Sequence, residues 1–183
     1  MLGTAIMTSP PADRERSSPG PAGPRSRPPL ILRVGRVAVV FTWHGDRWRH
    51  VIDIDGRPFA SSLEHTDDGR DREWPASPPL VEVSRAETPG GPAVLAVGLA
   101  GRSHYSASIA PHPTSPDSVL FEIACRIKEP AAWLGSTYAI GGAAMRVAAA
   151  SVAAGYPATV RWSYAAGPDG IRAVPPATVS QGR

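Results

Sequence analysis

Arg102, His104, Ser106 and Ser108 stand two residues apart, the spacing that lines side chains along one face of a β-strand. A histidine close to a serine suggests an activated nucleophile, but the spacing argues against one. Ser103, directly before His104, would point to the opposite face. Ser106 shares the face of His104, yet their Cβ atoms would be ~6.5–7 Å apart at the strand rise, too far for direct proton transfer. The chain also has no G-x-S-x-G elbow, the strained turn that presents a nucleophilic serine. The row reads as a solvated sheet face. Its functional alternative is a binding face on which Arg102, His104 and Ser106 meet an acidic or hydroxylated ligand.

Acidic residues crowd the stretch 53–73: Asp53, Asp55, Glu64, Asp67, Asp68, Asp71 and Glu73, with His65 among them. Asp53-Ile-Asp-Gly56 matches only a fragment of a calcium loop, and no glutamate follows at the required position. Arg57, Arg70 and Arg72 are interleaved, which suits solvated ion pairs of little individual worth. No metal site is expected. Cys125 is the one cysteine, so neither an intrachain disulfide nor a cysteine-based metal site can form. Gly90-Gly91 and Gly141-Gly142 are turn glycines rather than a phosphate loop, and no cofactor is expected. His50 reads as a hydrogen-bonded core or rim residue, while His44 and His112 read as loop residues. Of the five tryptophans, Trp43, Trp48 and Trp162 fall on apolar faces. Trp74 and Trp133 lie in loop contexts near Pro75 and Pro130, and they are the candidates for an exposed binding platform.

The element that must position these groups is clearest in Val37–Ile54, VAVVFTWHGDRWRHVIDI. A two-residue Gly45–Asp46 loop suits a type II′ turn. It pairs Trp43 with Trp48, Phe41 with His50, Val39 with Ile52 and Val37 with Ile54 on one face. The other face carries Thr42–Arg49, Val40–Val51, Ala38–Asp53 and the opposite charges Arg36–Asp55. A slip of one residue would send the apolar set into water. Before the hairpin, Leu30–Val34 reads as a strand with Gly35 as a bulge. After it, Arg57–Pro79 reads as a long surface loop. Leu80–Glu87 is a short strand, and the apolar run Ala93–Leu99 suits a central strand buried on both sides. Gly101–Ala110 and Ser118–Lys128 alternate. The latter puts Val119, Phe121, Ile123, Cys125 and Ile127 on one face. Trp133 and Tyr138 lead into another short strand, 141–155 is read as strand over helix, and Val160, Trp162 and Tyr164 share a face. Ile171–Val174 closes the series.

Eight to ten short strands punctuated by turns every 8–12 residues predict an all-β fold, an antiparallel two-sheet sandwich with a partly open barrel as the alternative. The domain covers 30–175. A Pro/Arg-rich segment 1–29, with seven of the 21 prolines, is expected to be disordered because it cannot bury enough surface to offset its ordering entropy. Residues 176–183 are expected to fray. Of the net charge of +3, Arg14, Arg16, Arg25 and Arg27 against Asp13 and Glu15 give the first 29 residues +2. The remainder is near neutral, which argues against a nucleic-acid groove. No stretch approaches the ~20 apolar residues of a membrane helix, and the expected location is the cytoplasm. The expected function is a binding or interaction module for a protein or small-molecule ligand. The alternative is a small hydrolase-like enzyme using His104 or His65 with nearby carboxylates.

Overall fold

The computed structural model describes residues 27–64, 74–149 and 155–175. The expected tail, up to residue 26, and the expected frayed end lie outside the described residues. Twelve antiparallel strands and no helix make up the described chain. The first four are β1 (Leu30–Val34), β2 (Val37–His44), β3 (Arg47–Ile54) and β4 (Arg57–Ser62). The pairing of β2 with β3 matches the predicted register at every position, from Trp43 opposite Trp48 to Val37 opposite Ile54. Gly45 has φ 73°, the positive value that the first central residue of a II′ turn requires. Val37, Val39, Phe41 and Ile52 are out of solvent, and the two indoles meet edge to face at 5.7 Å. Arg36 and Asp55 form the expected pair at the far end, with Arg36 Nε donating to Asp55 Oδ1 at 2.7 Å. Gly35 departs from expectation. Val34 pairs with Val37, so Gly35 (φ 52°) and Arg36 make a tight hairpin turn rather than a bulge.

The remaining strands are β5 (Leu80–Thr88), β6 (Gly91–Ala100), β7 (Ser103–His112), β8 (Ser115–Ile127), β9 (Gly135–Ile140), β10 (Ala143–Ala148), β11 (Ala158–Gly167) and β12 (Gly170–Val174). The sheet turns on β3. One edge of β3 belongs to β2, while the other is divided. β5 takes Trp48 through Leu80, and β4 takes Val51–Ile54 around a bulge at Ile52/Asp53. From this fork one wing runs β1-β2-β3-β4-β9-β10 and the other β5-β6-β7-β8-β11-β12, giving one nearly closed, barrel-like sheet. Their apolar faces meet. His50 of β3 stacks on Phe121 of β8 at 5.7 Å, Phe121 stacks on Tyr164 of β11 at 4.7 Å, and Trp162 Nε1 donates to Ser136 Oγ of β9 at 3.0 Å.

The stretch 57–79 is not the surface loop its polarity suggests. Its first part is β4, and its described end, from Trp74 to Pro79, runs into the interior. Trp74, Ala76 and Ser77 are 5%, 2% and 4% exposed. Ser77 makes this burial tolerable by doing for the backbone what a strand would. Its hydroxyl accepts from Thr137 N (2.7 Å) and donates to Thr137 O (2.9 Å).

Phe121 is 2% exposed within the core and Arg126, on the same strand, faces water. Phe121→Ala should therefore cost roughly 3–5 kcal/mol, and Arg126→Ala no more than about 0.5 kcal/mol. Urea melts of the two variants check this, and equal losses would refute the face assignment.

Candidate functional site

The polar row singled out in the sequence lies on the outside of the second wing. His104 and Ser106 are exposed on β7, while Ser103, Tyr105, Ala107 and Ile109 point inward and are buried. The neighbouring strand β6 brings a correction. Ala93–Leu99 is not covered on both sides: Val94 and Ala96 are buried, but Leu95, Val97 and Leu99 are 45%, 46% and 50% exposed. The reason is the pairing. β6 lies against β7 with Leu95 opposite Ser108, Val97 opposite Ser106 and Leu99 opposite His104. A strand whose neighbour is wet on its outer face is wet there too.

The rows continue across the wing. The central one reads Glu82, Val97, Ser106, Ala124 and Arg161 on β5, β6, β7, β8 and β11. Beside it, Leu99, His104, Arg126 and Thr159 form a second row, and Leu95, Ser108, Glu122 and Ser163 form a third. Side-chain size shapes the surface. Ser106 and Ala124 are small and make a floor between the aliphatic ridge of β6 and the guanidiniums of Arg126 and Arg161. Two adjoining depressions result. One of about 420 Å³ lies toward Leu95 and Glu122, and one of about 600 Å³ lies toward Leu99 and Arg126, with Ser106, Ala124 and Arg161 lining both. Val81 joins the second depression because a bulge between Leu80 and Glu82 carries it to the outer side.

The electrostatics are simple. Arg126, Arg161, Glu82 and Glu122 are exposed, and none has an ion-pair partner among the described residues. The Lys128 ammonium donates to His104 Nε2 at 3.2 Å. That nitrogen is therefore engaged by a cation rather than poised beside a nucleophile. Arg102 sits in the β6–β7 turn at the end of the face, where its backbone N–H donates to Glu129 Oε1 at 3.0 Å.

The other two candidate residues lie elsewhere. Trp74 is a core residue rather than an exposed platform, packed 6.5 Å from the Tyr105 ring. Its loop context concealed the inward path of residues 74–79. Trp133 is half-buried: its Nε1 donates to Ala76 O at 3.1 Å, and Arg146 lies over its ring at 5.3 Å. Neither indole joins His104 and Ser106. Of the acidic stretch, Asp55 holds Arg36 and Glu64 accepts from Arg49 Nε at 2.9 Å. His65 and the acids from 67 to 73 lie outside the described residues. Among the described residues no group of three His, Cys, Asp or Glu side chains is placed to hold a metal ion.

A second polar feature runs through the interior. His50 Nε2 is hydrogen-bonded to Tyr138 Oη at 2.8 Å, and Tyr138 Oη to Tyr164 Oη at 2.6 Å. Burial holds the His50 imidazole neutral, depressing its pKa from 6.5 to about 4, and pushes the Tyr164 phenol up to about 12. His50 is the hydrogen-bonded core or rim residue expected from the sequence. Its linkage to pH has a definite sign. The unfolded state takes up a proton on His50 below about pH 6.5 while the folded state resists until about pH 4. As pH falls through that window stability should fall, by roughly 3 kcal/mol, and change no further on this account below it. Urea melts between pH 4 and 7 check this. His50→Gln should flatten the slope in that window, and an unchanged slope would contradict the assignment.

No helix among the described residues is long and apolar enough to cross a membrane. Compared with protein families, with curated proteins and with solved structures, the chain gives no match.

Proposed function

We propose that this protein is a non-enzymatic interaction module that docks a protein surface on the outer face of β5, β6, β7, β8 and β11. The observation that carries this reading is the exposed ridge Leu95–Val97–Leu99 beside a floor of small residues and two guanidiniums that have no ion-pair partner among the described residues. Three large aliphatic side chains in a row, rimmed by charge, are the composition of an association site rather than of idle surface. The depressions are open to solvent along the sheet. A small molecule resting there would leave much of its surface in water, whereas ligand pockets bury most of theirs. A protein surface brings its own cover.

The hydrolase alternative gains no support from His104, whose Nε2 accepts from Lys128. Of the predicted binding residues, His104 and Ser106 belong to the docking face and Arg102 borders it. The cytoplasm is the compartment proposed, with which the free, buried thiol of Cys125 is compatible.

Affinity capture from the native source tests the reading, with the full chain as bait. Wild type should retain a protein, whether another chain or an untagged copy of this one. Val97→Asp should retain it at least about tenfold less while melting like wild type, because a surface substitution costs little stability. Identical captured proteins from both baits would overturn the proposal.

A further inference from the structure

The docking face is complementary to itself. Across the five strands the central row reads acid, large, small, small, base: Glu82, Val97, Ser106, Ala124, Arg161. Reversed, the same row sets base against acid and small against large. Such a sequence is what an isologous contact needs, because a two-fold axis lying in the interface presents one patch to its own reversal. We propose that the occupant of this face is a second copy of the chain, related by a two-fold axis running along β7.

That axis lays β6 of each copy over β8 of the other, and β5 over β11. Val97 of one copy then enters the hollow above Ala124 of the other, Ser106 meets its own image, and Glu82 meets Arg161 twice per dimer. The flanking rows place Leu99 on the aliphatic stem of Arg126 and Leu95 on that of Glu122, leaving the charged ends at the rim. Size agrees as well. Five strands spaced ~4.8 Å and ten residues long set an upper limit of roughly 24 by 34 Å, on the order of 800 Å² per copy, which reaches one side of a standard-sized interface.

Within one copy, Glu82 and Arg161 lie four strand spacings apart, roughly 19 Å, and cannot pair. Any coupling between them therefore reports on contact between copies. This inference rests on the reading of the outer face as a protein-docking surface, and it specifies the partner.

Sedimentation equilibrium of the full chain across a concentration series tests it. Wild type should associate to a dimer. Glu82→Arg alone and Arg161→Glu alone should each weaken association at least about tenfold, since each places two like-charge contacts in the homodimer. Both residues are exposed and unpaired among the described residues, so each variant should melt like wild type. The decisive arms restore the pairing. The double variant E82R/R161E should return to within about threefold of wild type. An equimolar mixture of the two single variants should also form the dimer that neither forms alone. A wild type that stays monomeric would overturn the inference. So would a dimer indifferent to the charge reversals, or one that the mixture fails to restore. If wild type is monomeric while Val97→Asp still abolishes capture of another protein, only the second-copy assignment falls and the docking face stands.

Discussion

Two strands claim one edge of β3, and the rest of the molecule depends on how that edge is divided. β5 meets β3 at Trp48 alone, while β4 takes the far half from Val51 onward. One sheet is thereby split into two wings that fold over each other. The apolar face of the β2–β3 hairpin must be covered, since Phe41, Val39 and Ile52 in water would forfeit roughly 1.5–3 kcal/mol each. The wing begun by β5 supplies that cover through Phe121, Tyr164 and Trp162. The hydrogen-bonded chain His50–Tyr138–Tyr164 spans the closure, linking β3 and β9 of one wing to β11 of the other. Directional bonds of this kind fix how the two wings are aligned, which dispersion contacts alone specify less sharply.

Covering the inner face of a wing does nothing for its outer face. On β7 and β8 that face carries His104, Ser106, Glu122 and Arg126, which water can serve. On β6 it carries Leu95, Val97 and Leu99, which water cannot. Strand propensity alone accounts for a valine at position 97, but it does not call for exposed leucines at 95 and 99 on either side of it. The contrast between neighbouring strands, with the guanidiniums of Arg126 and Arg161 lacking an ion-pair partner among the described residues, is the basis of the function proposed for the outer face.

The hairpin was legible in the letters because it is a local object. Its turn residues, its period of two and its terminal charges Arg36 and Asp55 all demand one register. The outer ridge was not legible, because an unbroken run of apolar residues looks the same whether one or both faces are covered. Only pairing with the polar row of β7 resolves it, and that row was readable. The outward side of β7 at His104 and Ser106 was thus legible, while the exposure of Leu95, Val97 and Leu99 was not. Trp74 misled for the opposite reason. Proline and polar neighbours signalled a surface loop, but the path from Trp74 to Pro79 is satisfied by a long-range partner, Thr137, that no local pattern announces.

The central claim is that alternate residues of β6 face opposite worlds, and paired charge insertions test it most directly. Urea melts of Val94→Asp and Val97→Asp, run dilute enough to keep copies apart, compare the two faces of one strand. Val94→Asp should lose several kcal/mol or fail to fold, because it buries an unpaired carboxylate. Val97→Asp should stay within about 0.5 kcal/mol of wild type. Comparable losses from the two substitutions would show that Val97 is enclosed, and the outer face would cease to exist as described.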